Sequence, residues 1–100
     1  MIEKLEFEWD ENKEKTNLKK HKVDFETAAH VFYDCNRVIL FDEKHSTDDE
    51  ERYVAIGRVE NRLIILYVAF TLRESIIRII SARKVTKREE NIYYDGKENY

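Results

Sequence analysis

Three apolar runs in the second half of the chain, RYVAIG (52–57), RLIILYVAF (62–70) and SIIRIISAR (75–83), are separated by only four residues each, RVEN and TLRE. A parallel return would need a crossover of a dozen or more residues, so connections this short can only turn the chain back beside itself. The runs therefore predict an antiparallel meander, and every other element has to be arranged around it. RVILFD (37–42) adds a shorter strand ahead of the three, joined to them through the acidic stretch EKHSTDDEE, which reads as a mobile loop.

The first third of the chain supplies what covers the sheet. KLEFEWD alternates, with Leu5, Phe7 and Trp9 on one face and Lys4, Glu6 and Glu8 on the other, the pattern of a half-buried strand. Asp10 is placed to cap a helix over 11–21, with Glu11 and Glu14 at its positive end. That helix has little to bury besides Leu18. Its Lys13, Asn17, Lys20 and His21 share a face that is either functional or simply solvated. Asp24 caps a second helix over 25–33, where Phe25, Ala28, Ala29 and Phe32 form an apolar stripe and His30 lies off it, exposed. Thr86 and Glu89 are spaced as a capping box, so KREENIYY predicts a terminal helix. The expected architecture is α+β, in the order β-α-α-β-β-β-β-α. Its mainly antiparallel sheet has the helices packed on one face, and the other face is left partly open for a ligand. Residues 1–94 read as a single domain and 95–100 as a flexible tail.

Several function classes drop out on composition. A length of 100 residues provides one modest core. No apolar run approaches the ~18 residues of a membrane helix, and MIEKLEFEWD is acidic and alternating, unlike a signal peptide. A single cysteine, Cys35, cannot form an internal disulfide, which suits a reducing cytoplasm. With no proline and two glycines there is no Gly-rich phosphate loop. His21, His30, Cys35 and His45 lack zinc-type spacing and the loop acids lack a calcium pattern, so neither a metal nor a cofactor is expected.

Charge points to a partner. The net charge of −3 divides unevenly: residues 1–50 hold 8 Lys/Arg against 14 Asp/Glu, whereas 51–100 hold 10 against 7. Between Arg52 and Arg88 there are nine cations and two acids, a concentration that either attracts a polyanion or is neutralised by the acidic half within the fold. IIRIISARKVTKREE focuses the question. If this last strand is regular, Ile77, Ile79, Ser81 and Arg83 share one face and Ile76, Arg78, Ile80 and Ala82 the other, so each arginine needs an acid or a phosphate beside the core. Lys87 and Arg88 fall in the first turn of the final helix, where the backbone dipole disfavours cations unless an anion docks. Cleaving RNA through its own 2′-hydroxyl would need a base, an acid and cations around the phosphate. His21, His45 and the Glu51-Arg52 pair are the residues whose chemistry suits those roles.

FEWDENKEKTNLKKH, FETAAHVFYD, DEKHSTDDEERYVAIGR and RIISARKVTKREE, in that order and spacing, resemble the BrnT toxins of bacterial type II toxin–antitoxin pairs over about residues 5–93. The resemblance implies a fold like that of the RelE toxins and a metal-independent endoribonuclease that stops translation and growth. It also implies neutralisation by a BrnA-type ribbon-helix-helix antitoxin. That complex would hold two copies of each protein and bind operator DNA through the antitoxin. Carried onto this chain, the resemblance puts the active surface around His21, His45, Glu51, Arg52 and Arg83, with Lys20, Arg58, Arg78, Lys84 and Arg88 holding RNA phosphates. His45 or Glu51 would be the base or acid, Arg52 and Arg83 would stabilise charge, and His21 would be a second proton carrier or a helix-end polar group. The alternative, from a different class, is a non-catalytic domain using the same basic surface to bind nucleic acid or an acidic protein segment. Two positions depart from the family pattern. Lys22 stands where K-H-G-V is usual, and Ile76 where an arginine usually opens the last strand. If the Lys22 position is left-handed, its side chain costs roughly 1 kcal/mol relative to glycine.

Overall fold

The meander forms as its short connections require. The computed structural model describes residues 4–59 and 62–98. Within them β1 (Glu6–Trp9), β2 (Val38–Phe41), β3 (Arg52–Arg58), β4 (Ile65–Arg73) and β5 (Ile76–Lys84) make one five-stranded sheet of order β1-β5-β4-β3-β2. All neighbours are antiparallel except β1, which lies parallel to the edge of β5 with Glu8 opposite Arg78. The helices are α1 (Glu11–His21), α2 (Phe25–Ala29), continued by a 3-10 turn over His30–Tyr33, and α3 (Lys87–Glu98). The element order is the one the sequence predicts.

The caps form from the residues that predict them. Asp10 accepts from the backbone N–H groups of Asn12 and Lys13, and Asp24 accepts from that of Thr27. Thr86 and Glu89 exchange side-chain-to-backbone bonds of 3.2 and 2.9 Å, closing the capping box of α3. Lys22 ends α1 with φ 62°, the left-handed conformation its glycine-like position demands, and its N–H bonds the carbonyl of Leu18. α3 runs on to Glu98, so 95–98 of the expected tail are helical, and its residues 99–100 lie outside the described residues. The acidic connection after β2, expected to be mobile, is laced internally. The Ser46 hydroxyl donates to the Asp42 carbonyl and accepts from the Arg52 N–H, and the backbones of Thr47 and Glu50 bond each other.

Two cores, one on each face, correct the expectation that all helices pack together. Phe25, Ala28, Val31 and Phe32 of α2 and its 3-10 turn meet Ala55, Leu66, Val68, Phe70, Ile77, Ile79 and Ala82 of the sheet. α3 instead crosses to the other face, where Tyr93 and Ile92 meet Val54, Ile56 and Ile65. The reason lies in the capping box: Ile92 and Tyr93 are the apolar residues of α3 that follow it, and β3 and β4 offer them a second apolar row. Asp34 fixes the crossing. Its carboxylate accepts from the Tyr93 hydroxyl at 2.7 Å and from the Arg58 N–H at 2.8 Å. Burial pushes the Asp34 carboxyl up, but the hydrogen bonds from Arg58, Tyr93 and Asn36 outweigh it and leave its pKa below the ordinary value.

Candidate RNA-binding face

Among the described residues, the cluster under α3 takes in Val38, Val54, Ile56, Ile65 and Tyr67, and the part of that face toward Arg52 and Arg78 is left open. Its character follows from strand alternation with one interruption. Ser81 pairs with Ala69 but Ile79 pairs with Phe70, so Ile80 is an extra residue and β5 bulges there. A bulge exchanges the two sides of a strand. Ile77 and Ile79 before it and Ala82 after it all point into the α2 core, and Arg78 and Arg83 consequently share the open face. A regular strand would have separated the two arginines.

Both arginines find acids. Arg78 pairs with Glu8 on the neighbouring strand. Arg83 grips Glu89 through both terminal nitrogens at 2.8 and 2.9 Å, and its guanidinium lies 4.0 Å from the centre of the Tyr67 ring. The hydrogen bonds to Glu89 raise the Arg83 pKa and depress that of Glu89. Burial pushes the Tyr67 phenol up, Arg83 pulls it down, and the carboxylates of Asp42 and Glu89 push it up again, for a net rise.

Asp42 lies at the far edge of the sheet, beside Arg52. It follows β2, and its carboxylate meets Nδ1 of His45 at 2.8 Å. The Asp42 side chain is mostly buried while that of His45 is 60% exposed, so the acid holds the ring and leaves Nε2 facing solvent. Arg52 lies on the same face, opposite Thr71, which in turn lies opposite Arg78, and its Nε donates to Glu50 at 3.0 Å. The row of Arg52 and Arg78 is four residues along β4 from the row of Tyr67 and Arg83, roughly 13 Å. Glu51 turns the other way, toward Tyr53, and lines an acidic hollow with Asp48 and Asp49.

The other candidates flank the face. Beyond the end of β1, α1 takes over the edge of β5. Buried Asn17 donates to the carbonyls of Val23 and Ala82 at 2.9 Å and accepts from the Ala82 N–H, acting as a one-residue sheet partner. Beside it, Lys20 and His21 line a pocket of about 420 Å³ with Lys13, Ile80 and Ser81. Arg58 and Lys84 line another of about 500 Å³ at the opposite end of β3, with Glu90 and Tyr94, and Arg58 donates to the Tyr94 hydroxyl at 3.0 Å. Arg88 is exposed on α3 and makes no ion pair among the described residues. The candidates therefore form no single tight cluster. Arg52, Arg78 and Arg83 share the open face, His45 reaches it through Asp42, and His21, Lys20, Arg58 and Lys84 stand at its borders.

Sequence reasoning missed Asp42 and Tyr67. Alternation places Tyr67 opposite Arg83 once the bulge is known, and Asp42 is three residues ahead of His45 at a strand end, a spacing that favours a local side-chain bond. Among the described residues no three His, Cys, Asp or Glu side chains gather as metal ligands would, and no helix is long and apolar enough to cross a membrane.

The fold is thus a small α+β protein whose five-stranded, mostly antiparallel sheet carries three acid-paired arginines on its partly open face. The chain matches the family model for the ribonuclease toxin BrnT of type II toxin–antitoxin systems over residues 9–89. It belongs to that family, which implies ribonuclease activity, an RNA substrate and an antitoxin partner. No curated protein matches the chain.

Proposed function

We propose that the chain is a metal-independent endoribonuclease toxin with a RelE-like fold, acting in the cytoplasm to inhibit translation and growth. RNA lies along the open half of the sheet face. The observation that supports this reading is the open face that Arg52, Arg78 and Arg83 share, with His45 held at its edge by Asp42. His45 Nε2 takes the proton of a 2′-hydroxyl. The freed oxygen attacks phosphorus, the 5′-oxygen leaves with a proton from water, and the products are a 2′,3′-cyclic phosphate and a 5′-hydroxyl. Arg52, in the row beside Asp42 and His45, stabilises the negative charge that builds on the phosphorus oxygens, and Arg83 holds and orients a neighbouring phosphate farther along the face. Glu51 faces away from Arg52, which favours His45 as the base. Arg58, Arg78, Lys84, Lys20 and Arg88 hold flanking phosphates, and His21 borders the RNA path. A BrnA-type ribbon-helix-helix antitoxin neutralises the toxin in a complex of two copies of each and carries the complex to operator DNA.

The test is cleavage of end-labelled RNA in EDTA by the wild type and by folded Arg83→Ala and His45→Ala variants. Wild-type cutting that leaves cyclic phosphate ends, reduced about 100-fold or more in both variants, is the expected result. Salt-sensitive binding without cutting, on free or ribosome-bound RNA, would favour a non-catalytic binding domain.

A further inference from the structure

β2 is an outer strand, short but without charge or proline along its length. Its residues Val38–Phe41 are uncharged, and Ile39, Leu40 and Phe41 are exposed. The hydrogen-bond phase fixes what its free edge offers. Asp42 donates to the Arg52 carbonyl, so Val38, Leu40 and Asp42 direct their backbone groups toward β3. Ile39 and Phe41 direct theirs outward.

We propose that this edge pairs antiparallel with the same edge of a second copy of the chain, with Leu40 on the twofold axis. Strand phase restricts the possible registers, and the flanking residues select this one. In a continuous antiparallel sheet, opposed residues must share a face, and centring on Leu40 sets Ile39 opposite Phe41 and Val38 opposite Asp42, which satisfies it. Opposed residues must also both present outward N–H and C=O groups, and Ile39 and Phe41 do, giving four backbone hydrogen bonds across the axis. Finally the flanks must be compatible. The same register sets Arg37 opposite Glu43 of the second copy, twice by symmetry, and both residues are exposed. Centring on Ile39 would instead set Arg37 against Phe41 and require the Arg37 N–H, which is already committed to the Asp34 carbonyl. The axis is perpendicular to the sheet, so the two open faces end on the same side of one ten-stranded sheet.

The test is sedimentation equilibrium of the free toxin, with amide exchange followed as concentration rises. A short edge predicts a dissociation constant on the order of 10 µM, and protection of the Ile39 and Phe41 amides that grows with concentration. Arg37→Glu or Glu43→Arg alone should weaken the dimer about tenfold or more, and the double reversal should restore it. The exchange measurement needs no variant, so a misfolded mutant cannot decide the outcome. A wild type that stays at single-chain mass up to ~500 µM, or a double reversal that fails to recover, would overturn the proposal. So would β2 amides that become protected only when the antitoxin is added, which would assign the edge to that partner.

Discussion

The two faces of the sheet are built from the same five strands to opposite ends. On the α2 side, Phe25, Ala28, Val31, Ala55, Val68 and Ala82 are fully buried, and aromatic rings meet edge to face, Trp9 on Phe25 and Phe32 on Phe70. On the α3 side, apolar packing is confined to the cluster around Val54, Ile56, Ile65 and Tyr93, and beyond it Arg78 and Arg83 are held by Glu8 and Glu89 and Thr71 by the Glu51 carbonyl. The first face is redundant and close-packed. The second is a set of specific polar bonds, each with few substitutes. Stability should therefore reside chiefly in the first and ligand chemistry in the second, and substitutions can separate the two.

The largest effect on stability is expected from Phe25→Ala. Removing a ring with no exposed surface leaves a cavity beneath Trp9, at a cost of about 4 kcal/mol. A urea melt reads the loss, and the cleavage rate per folded molecule should not change. A loss of activity in the folded fraction would mean that the two faces are coupled. Asn17→Ala comes next. It removes the amide that bonds Val23 and both backbone groups of Ala82, and unsatisfying these buried groups should cost ~2–3 kcal/mol. Exchange of the Ala82 amide, faster relative to its neighbours, would show that the edge of β5 has opened.

Glu89→Gln acts on the open face. Glu89 accepts from Arg83 twice and from the Thr86 N–H, and it is mostly buried, so the substitution should cost ~1–2 kcal/mol at neutral pH. The sign with pH follows from its lowered pKa. The hydrogen bonds from Arg83 hold the folded carboxyl below its ordinary value of 4.5. Its stabilisation is therefore present above 4.5 and is lost as pH falls through the folded value. Urea midpoints of the wild type and Glu89→Gln should diverge at neutral pH and converge in acid. A gap that persists in acid would place the contribution of Glu89 in packing rather than charge.

Local rules made most of the elements legible in the sequence. Asp10, Asp24 and the Thr86–Glu89 pair each act within three residues, and the four-residue connections left the meander no other direction. Placement was less legible because it depends on partners far apart in the chain. Asp34 reads as a loop residue until Tyr93 is brought to it from 59 positions away, and that bond carries α3 to the second face. The bulge at Ile80 leaves no glycine or proline signal, yet it decides whether Arg78 and Arg83 share a face. The residue types of the candidate site could be listed from sequence, but their grouping could not. His45 reaches the open face only through Asp42, and Glu51 turns away from the neighbouring Arg52.

The smallest effect separates a cost in the backbone from one in the site. Lys22 has φ 62°, where a Cβ crowds the following carbonyl by roughly 1 kcal/mol and glycine does not. Its side chain is exposed and lines a hollow with Asp24, Arg62 and Lys84. Lys22→Gly should stabilise the fold by about 1 kcal/mol, less what the freer unfolded chain gives back, and raise Tm by at most ~4–8 °C. Salt-dependent RNA binding discriminates between two roles for this turn. Unchanged affinity would make Lys22 a backbone liability that the fold tolerates. A shallower salt dependence with weaker binding would mean that the chain accepts the strained turn to place one more cation at the edge of the RNA path.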